Sequence, residues 1–236
     1  MSCSGITGPL GNPWHYHTMR DREGNLLWEG QYDLYPLWRH FGIRNNLEGQ
    51  SVIDLGTATG FFAFECERRG ASPVVATELF DIRQWDARAG YLYEGVDIPK
   101  ANQEDFHTLH RLFQSKVQLH FASINEPLHE KLGTFDWVIF GSLMTHLRDP
   151  MLALEHVRGL TRGRAVIISS YSPSIATLGL RWIRSERPFD WWVPSKPLLP
   201  EMLKAVGFRR IEEVGDYVLT HKNGAAQPQA CCHAFP

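Results

Sequence analysis

Val52-Ile53-Asp54-Leu55-Gly56-Thr57-Ala58-Thr59-Gly60-Phe61 is the stretch of sequence that decides the fold. It has the pattern of a short apolar strand, a glycine loop and the start of a helix. Gly56 and Gly60 let the backbone turn sharply and approach a ligand closely. Ala58 stands where a dinucleotide-binding G-x-G-x-x-G motif has its middle glycine, and a methyl group there crowds a pyrophosphate. The loop therefore favours a nucleoside ligand without a pyrophosphate, although a plain strand–turn–helix would need the same glycines.

Strands and helices alternate along the chain on both sides of this loop. Short apolar runs predict five strands, over residues 51–55, 73–79, 117–124, 135–143 and 164–170. Helical spacing and capping residues predict helices over residues 61–69, 82–93, 102–116, from Asp149 onward, and 200–205. Such alternation predicts a largely parallel sheet that is covered by helices on both faces.

The end of the chain adds a different kind of strand pair. Two closing strands are predicted over residues 209–214 and 217–221, joined by the tight turn Gly215-Asp216. A connection this short requires antiparallel pairing. The predicted fold class is therefore α/β with the layout of the Rossmann-like class I methyltransferase fold. That layout is a seven-stranded, mostly parallel sheet with an antiparallel C-terminal hairpin and, in this chain, an N-terminal helical lid.

Composition limits the classes of protein to consider. The chain has 236 residues, of which 43% are hydrophobic and 21% charged, and its formal net charge is −2. These values are those of an ordinary globular protein and give no electrostatic case for binding nucleic acid or an anionic membrane. The four cysteines form no disulfide framework, and the chain has no apolar run long enough for a membrane span. Cys231-Cys232-His233 could hold a metal only with a second group of ligands, and the sequence contains none with zinc spacing, so we predict no metal. We also expect a cytoplasmic protein without a membrane anchor.

The ends of the predicted strands carry the cofactor residues. Glu78 lies roughly twenty residues after the glycine loop, a spacing that suits a carboxylate accepting from ribose hydroxyls, although a solvated acid is the alternative. Ser123 follows the third strand, where the adenine is expected. Together with the loop, these residues favour S-adenosylmethionine over NAD, with S-adenosylhomocysteine as product. The predicted cofactor-binding residues are Asp54, Gly56, Thr57, Ala58, Gly60, Phe61, Glu78, Leu79, Ser123, Ile124, Gly141 and Ser142.

The segment after the fourth strand contains the candidate catalytic residue, His146. Ligands bind at the carboxyl ends of strands in open α/β sheets, and a neutral histidine there can take a proton from a hydroxyl or amine. A structural histidine bonded to the loop backbone is the alternative. Asp149 has the position of a helix cap rather than of a catalytic partner.

Aromatic residues are predicted to form the substrate pocket. Three tryptophans lie close together after the fifth strand and can form the floor of a pocket for a flat or apolar substrate, or a satellite core under a long loop. The N-terminal Trp14-His15-Tyr16-His17 can close over the site or pack on the sheet as a strap. The predicted substrate-binding residues are Trp14, Tyr16, His17, Thr145, Arg148, Tyr171, Trp182, Trp191 and Trp192. Arg181, Arg184 and Arg187 either bind an acidic group or are solvated.

The motifs together resemble those of a known family. They are Asp54-Leu55-Gly56-Thr57, Gly60-Phe61-Phe62-Ala63-Phe64-Glu65, Glu67-Arg68-Arg69-Gly70-Ala71, His146-Leu147-Arg148-Asp149-Pro150, and Trp192-Val193-Pro194-Ser195 leading to Gly207-Phe208. The resemblance covers residues 14–221 and is to class I methyltransferases related to the tRNA wobble-uridine carboxymethyltransferases. That group also includes small-molecule methyltransferases of biosynthetic pathways. The resemblance implies that Asp54, Gly56, Gly60 and Glu78 bind S-adenosylmethionine.

Two departures from the tRNA enzymes decide the expected substrate. Those enzymes carry a tyrosine immediately before the histidine, where this chain has Thr145, and they have a longer N-terminal domain. We therefore expect methyl transfer to an oxygen or nitrogen of a small molecule, a natural-product intermediate, by a monomer or homodimer. The alternatives are a tRNA wobble-uridine transferase, a non-catalytic S-adenosylmethionine-binding protein and an NAD(P)-binding domain.

The chain is predicted to divide into three parts. Residues 1–46 form an arm and the helical lid, because glycines and prolines precede a run with helical spacing. Residues 47–222 form the S-adenosylmethionine-binding domain, with an aromatic insertion at 172–196. Residues 223–236 have little structural signal and are expected to be a flexible tail.

Overall fold

A computed structural model describes residues 14–86, 97–183 and 190–236 of the chain. The strands are β1 (Met19–Arg20), β2 (Leu26–Trp28), β3 (Val52–Leu55), β4 (Val74–Glu78), β5 (Gln118–Phe121), β6 (Phe135–Gly141), β7 (Thr161–Ser170), β8 (Leu180–Trp182), β9 (Trp192–Pro194), β10 (Arg210–Thr220) and β11 (Ala226–Phe235). The α-helices are α1 (Phe61–Arg68), α2 (Ile98–Leu112), α3 (His129–Leu132), α4 (Pro150–Leu160) and α5 (Leu198–Ala205). Short 3-10 helices span Tyr35–Phe41, Ile82–Gln84 and Met144–His146.

The central sheet has seven strands in the order β10-β11-β7-β6-β3-β4-β5. The five strands from β7 to β5 are parallel, whereas β11 pairs antiparallel with both β7 and β10. This arrangement confirms the predicted fold class. Strands β3, β4 and β6 were predictable because each is a mainly apolar run, as expected for strands buried on both faces, whereas the edge strand β5 was predicted from alternation.

Helices and loops cover the two faces of the sheet with separate cores. On one face α1, α2 and the N-terminal segment meet around Phe61 and Phe106. On the other face α4 and α5 pack through Leu154 and Leu203 against the sheet. The predicted cap is present, since the Asp149 carboxylate accepts a hydrogen bond of 3.0 Å from the Leu152 N–H at the start of α4. The lid helix predicted near the N-terminus takes the form of the 3-10 helix Tyr35–Phe41.

The C-terminal residues 223–236 are not a flexible tail, and this prediction is wrong. Residues 226–235 form β11, which is inserted between β7 and β10 and pairs with both along its length. The predicted turn at Gly215-Asp216 is also wrong, because β10 continues through it with a register irregularity between Glu213 and Gly215. The hairpin instead turns at Asn223-Gly224, where Gly224 has a φ of 89°. Asn-Gly is a strong hairpin signal, so the sequence does contain the correct turn.

Two helix boundaries differ from the prediction. The helix predicted over residues 102–116 is α2, which starts four residues earlier, where Asp97 caps it by accepting from the Lys100 N–H at 3.2 Å. Of the helix predicted over residues 82–93, the described part is only the 3-10 turn Ile82–Gln84. The remainder of that prediction, at residues 87–93, lies outside the described residues, as do the arm of residues 1–13, Arg184 and Arg187.

Candidate active site

A cavity of about 600 Å³ lies at the carboxyl ends of the five parallel strands. Its size is within the roughly 300–1,000 Å³ that is usual for small-molecule sites. The residues that follow β3, β4, β5, β6 and β7 all reach it, as the topology of open α/β sheets requires. Of the predicted cofactor residues, those that line the cavity are Asp54, Gly56, Thr57, Ala58, Glu78, Leu79, Ser123, Ile124, Gly141 and Ser142.

The glycine loop has a backbone that ordinary residues rarely adopt. Gly56 and Gly60 have φ values of 67° and 93°. A side chain at Gly60 would place its Cβ 2.4 Å from Phe64 Cε2, so glycine is needed for packing as well as for the turn. Ala58 has the same left-handed conformation with a φ of 50°, at a cost of about 1–3 kcal/mol for a residue with a Cβ. The loop thus keeps the conformation of a glycine-rich loop although its middle residue is alanine.

Gly60 and Phe61 are not among the described residues that line the cavity. Phe61 is fully buried on the α1 face of the sheet and packs edge-on against Tyr35, with ring centroids 5.1 Å apart. Neither residue is thus placed to touch a ligand there. Their role is to fix the turn and hold α1 against the N-terminal segment.

Two buried carboxyl groups brace the loop. The Asp54 carboxylate accepts a hydrogen bond of 2.6 Å from the Thr57 hydroxyl, and burial raises the pKa of Asp54 to about 6. Glu78 accepts from the Ala58 N–H at 2.7 Å and from the Leu79 N–H at 2.8 Å. Burial raises the pKa of Glu78 to about 7. Glu78 therefore joins the end of β4 to the loop after β3, with lone pairs left for a ligand.

The charges that face the cavity have one sign. Among the described residues that line it, the charged side chains are Asp54, Glu78, Asp86 and Asp190, and no lysine or arginine is present. A wall of this kind attracts cations and gives no counter-charge to a phosphate. The cavity is therefore suited to a cationic or neutral ligand.

His146 faces this cavity and is paired with an aspartate that the sequence analysis did not single out. The Nδ1 atom of His146 lies 3.0 Å from Oδ1 of Asp190, and both residues line the cavity. His146 belongs to the 3-10 helix Met144–His146, and Asp190 lies just before β9. A carboxylate at this distance favours the imidazole tautomer with Nδ1 protonated, in which Nε2 carries no proton. Forty-four residues separate the two positions, so no local sequence pattern could predict the pair.

The N-terminal segment forms a wall of the cavity through Trp14, Tyr16 and His17. His17 Nδ1 lies 2.8 Å from the Thr59 hydroxyl of the glycine loop, and burial lowers the pKa of His17 to about 3. His15 Nδ1 lies 2.8 Å from Oδ2 of Asp105 on α2, and both side chains are buried. The segment is therefore bonded both to the loop and to α2, and His17 is a neutral group at pH 7.

The three tryptophans predicted to form the pocket floor do not line the cavity within the described residues. Trp182 packs edge-on against Trp191 and Trp192, with ring centroids 5.3 and 5.0 Å away. The Trp192 Nε1–H donates to the Arg148 carbonyl at 3.0 Å. This prediction is wrong for the described residues, because the neighbouring Ile183, Asp190 and Val193 line the cavity instead.

Arg148 also lies away from the cavity, with its guanidinium 5.3 Å from the centre of the Trp191 ring. The other predicted substrate residues, Thr145 and Tyr171, do line it. Many other described residues that line the cavity were not predicted as site residues. They include Gln31, Tyr32, Leu34, Phe41, Phe62, Gln84, Trp85, Asp86, Ile98, Asn102, Asn125, Ile168, Ser170, Asp190, Tyr217, Leu219, His221, Gln227 and Gln229.

Neither a metal-binding group of side chains nor a membrane-spanning helix is present in the described residues. No group of three or more histidine, cysteine or acidic side chains is arranged to hold a metal ion there. Cys231 and Cys232 are buried in β11 and pack into different cores, so their thiols point to opposite faces of the sheet. Nor does any helix in the described parts have the length and apolar character to cross a membrane.

Comparisons with known proteins agree with this geometry. Residues 29–213 match the model of a family described as a methyltransferase domain. The N-terminal domain of EvdMO1, solved in the presence of SAH and D-fucose, superposes with a TM-score of 0.68 at 18% identity, covering 94% of this chain and 91% of that one. A structure of EvdMO1 has a TM-score of 0.58 at 16% identity, covering 86% of this chain and 41% of that one.

Two further structures are similar at lower scores. A Burkholderia thailandensis 1,6-didemethyltoxoflavin-N1-methyltransferase, solved with 1,6-didemethyltoxoflavin and S-adenosylhomocysteine, has a TM-score of 0.52 at 16% identity, with 80% and 72% of the chains covered. An S-adenosylmethionine-dependent methyltransferase from Mesorhizobium loti has a TM-score of 0.55 at 13% identity, with 85% and 97% covered. A comparison with curated protein sequences finds no match.

Proposed function

The chain belongs to a family of methyltransferase domains with S-adenosylmethionine as cofactor, and we propose that it methylates an oxygen or nitrogen of a small molecule. The observation that carries the proposal is the pair of His146 and Asp190, 3.0 Å apart on the wall of the cavity at the strand ends. A base oriented by a carboxylate suits an acceptor that must lose a proton when it is methylated.

The residues of the cavity fit the cofactor. A sulfonium is cationic, and the charged side chains among the described lining residues are all acidic. Glu78 stands at the end of β4 with both carboxylate oxygens directed by backbone N–H groups, an arrangement suited to accepting from a ribose diol. Asp54, Gly56, Thr57 and Ala58 would hold the nucleoside and amino-acid parts through the loop.

The chemistry divides between the cofactor and the chain. S-adenosylmethionine supplies a methyl group that is already activated by its positive sulfur, so the protein has to align and deprotonate the acceptor. His146 would take on Nε2 the proton that the acceptor loses when it is methylated, with S-adenosylhomocysteine as the other product. Asp190 holds the imidazole in position and stabilises the cation that the proton creates. Thr145 and Tyr171 are placed to bind the acceptor.

The cavity supports a small acceptor. Its volume of about 600 Å³ must hold the cofactor and the acceptor together. Hydroxyl and amide groups from Ser170, Gln227 and Gln229 line it, and such groups bind polar, uncharged molecules. The similar structures solved with D-fucose and with 1,6-didemethyltoxoflavin support an acceptor of this size. We propose a natural-product intermediate as the acceptor and a cytoplasmic monomer or homodimer as the active form.

Membership of the group related to tRNA wobble-uridine carboxymethyltransferases rests on the sequence motifs and stays a prediction. The formal net charge of −2 supports a small acceptor over tRNA, because tRNA binding draws most of its affinity from basic residues that neutralise phosphates.

Transfer of a labelled methyl group tests the proposal. The wild-type protein is incubated with methyl-labelled S-adenosylmethionine and a panel of small alcohols, glycosides and amines, with tRNA as a separate arm. We expect label in a small molecule, and a loss of about 10²–10⁴-fold in His146→Ala at unchanged affinity for S-adenosylhomocysteine. His107→Ala, at an exposed position of α2, is the matched control. Label in tRNA alone, or full activity in His146→Ala, would contradict the proposal.

A further inference from the structure

Asn102 on α2 has a buried polar atom that the fold does not satisfy. The residue is 4% exposed and lines the cavity. Its Oδ1 has no hydrogen-bond partner among the residues that the structure describes. Buried carbonyl oxygens nearly always have a partner, and one without a partner on a residue that lines a cavity is explained if a ligand donates to it.

The position of Asn102 in the fold indicates which part of a ligand it meets. Phe106 lies one turn further along α2, and a Cβ built on Gly60 would lie 2.9 Å from Phe106 Cδ2. That turn of α2 therefore lies against the glycine loop. Ile98, one turn before Asn102, also lines the cavity. Asn102 thus faces the cavity on the side of the loop that contains Ala58.

The catalytic pair lies on the other face of the sheet. Met144 and Leu147, which flank His146, pack into the core that contains α4 and α5. Phe106 and Leu109 of α2 pack into the opposite core, with α1. A ligand that spans the cavity from the glycine loop to His146 therefore presents its nucleoside end to Asn102 and its reacting end to His146.

We propose that Asn102 Oδ1 accepts a hydrogen bond from a ribose hydroxyl of the cofactor, beside Glu78. This inference rests on the proposed function, because it takes the nucleoside to be that of S-adenosylmethionine. A ribose diol has two O–H donors, and each oxygen of Glu78 already accepts a backbone N–H. A second acceptor allows both hydroxyls to be satisfied without crowding one carboxylate.

Calorimetric titration with S-adenosylhomocysteine and its 2′-deoxy and 3′-deoxy forms tests the inference. Asn102→Leu is expected to bind S-adenosylhomocysteine about five- to tenfold more weakly than the wild type, as for one lost hydrogen bond. With the deoxy compound that lacks the donating hydroxyl, wild type and variant should bind equally. The control is Gln103→Leu, which removes an amide one residue further along α2. Gln103 is not among the described residues that line the cavity, so this variant should bind S-adenosylhomocysteine like the wild type.

The melting temperature of the unliganded protein gives a second, independent readout. Removal of an unpaired buried carbonyl should leave the melting temperature of Asn102→Leu equal to or above that of the wild type, whereas an asparagine with a structural role would lower it. Asn102→Ala should show the same loss of affinity. Unchanged binding in both variants, or an equal loss with all three compounds, would overturn this inference alone. Absence of binding by the wild type would overturn the proposed function as well.

Discussion

Glu78 accepts hydrogen bonds from the N–H groups of Ala58 and Leu79, at 2.7 and 2.8 Å, so the carboxylate at the end of β4 fixes the loop that follows β3. Ala58 has a φ of 50° in that loop, and the bond to Glu78 helps to hold this strained conformation. One side chain therefore shapes the loop and also faces the cavity. Loop geometry and ligand binding are coupled through this residue.

Glu78 should make stability depend on pH. Burial raises the pKa of Glu78 from 4.5 to about 7. At pH values between these two, the folded state therefore holds a proton that the unfolded state has lost. The free energy of unfolding should then fall as pH rises from about 5 to about 7, by an amount of order 1–3 kcal/mol. Glu78→Gln should flatten this slope, as measured by urea unfolding at several pH values. Glu104→Gln, exposed on α2, is the control, and an equal slope in wild type and Glu78→Gln would contradict the assignment.

Asp190→Asn should reduce turnover without loss of cofactor. The amide keeps the size of the carboxylate but cannot stabilise the imidazolium or enforce the tautomer in which Nε2 is unprotonated. We expect kcat to fall about 10–100-fold, with the affinity for S-adenosylhomocysteine unchanged. Steady-state kinetics and calorimetry on the same preparation measure both quantities. Asp216→Asn, whose carboxylate pairs with Lys196 at the surface, serves as the comparison, and full activity of Asp190→Asn would exclude its role.

Gly60→Ala should destabilise the fold more than Gly207→Ala. Both glycines have a φ of 93°, but a Cβ on Gly60 would lie 2.4 Å from Phe64 Cε2, whereas one on Gly207 meets nothing within 4 Å. Backbone strain is common to the two changes, so their difference reports the packing of α1 against the loop. We expect Gly60→Ala to cost about 1–3 kcal/mol more in the free energy of unfolding. Equal denaturant midpoints for the two variants would show that Phe64 moves aside freely.

Truncation after Lys222 should unfold the protein. Residues 226–235 form β11, and Ala230, Cys231, Cys232 and Ala234 are at most 4% exposed between β7 and β10. Without this strand two sheet edges and both cores are open to water. Circular dichroism should show loss of the cooperative thermal transition. A truncated chain that melts at the wild-type temperature would instead support a mobile tail.

The parallel half of the fold was predictable from the sequence, and the C-terminal half was not. Strands such as β3 and β6 are continuous apolar runs, which is the pattern of a strand buried on both faces. In β11 the buried residues are small or polar types, Ala, Cys and His, whose burial depends on the neighbouring strands. Its position between β7 and β10 is a long-range pairing that periodicity does not encode.

The candidate site was predictable where it follows the strand ends. Asp54, Gly56 and Glu78 were predicted because each ends a parallel strand or follows it directly. Asp190 was missed because it reaches His146 only through the β8–β9 ribbon, which places it just before Trp191. The tryptophans were wrongly predicted to line the cavity, because composition gives the number of aromatic rings and not the direction in which each side chain points.

The central claim is that the cavity between the glycine loop and Glu78 binds the adenosyl part of S-adenosylmethionine. Isothermal titration with S-adenosylhomocysteine at pH 8, above the pKa of about 7 for Glu78, tests it most directly. One molecule should bind per chain in the wild type, and Glu78→Ala should bind at least tenfold more weakly, as for one lost hydrogen bond to a charged group. Absence of binding heat in the wild type, or equal affinity in Glu78→Ala, would contradict the account.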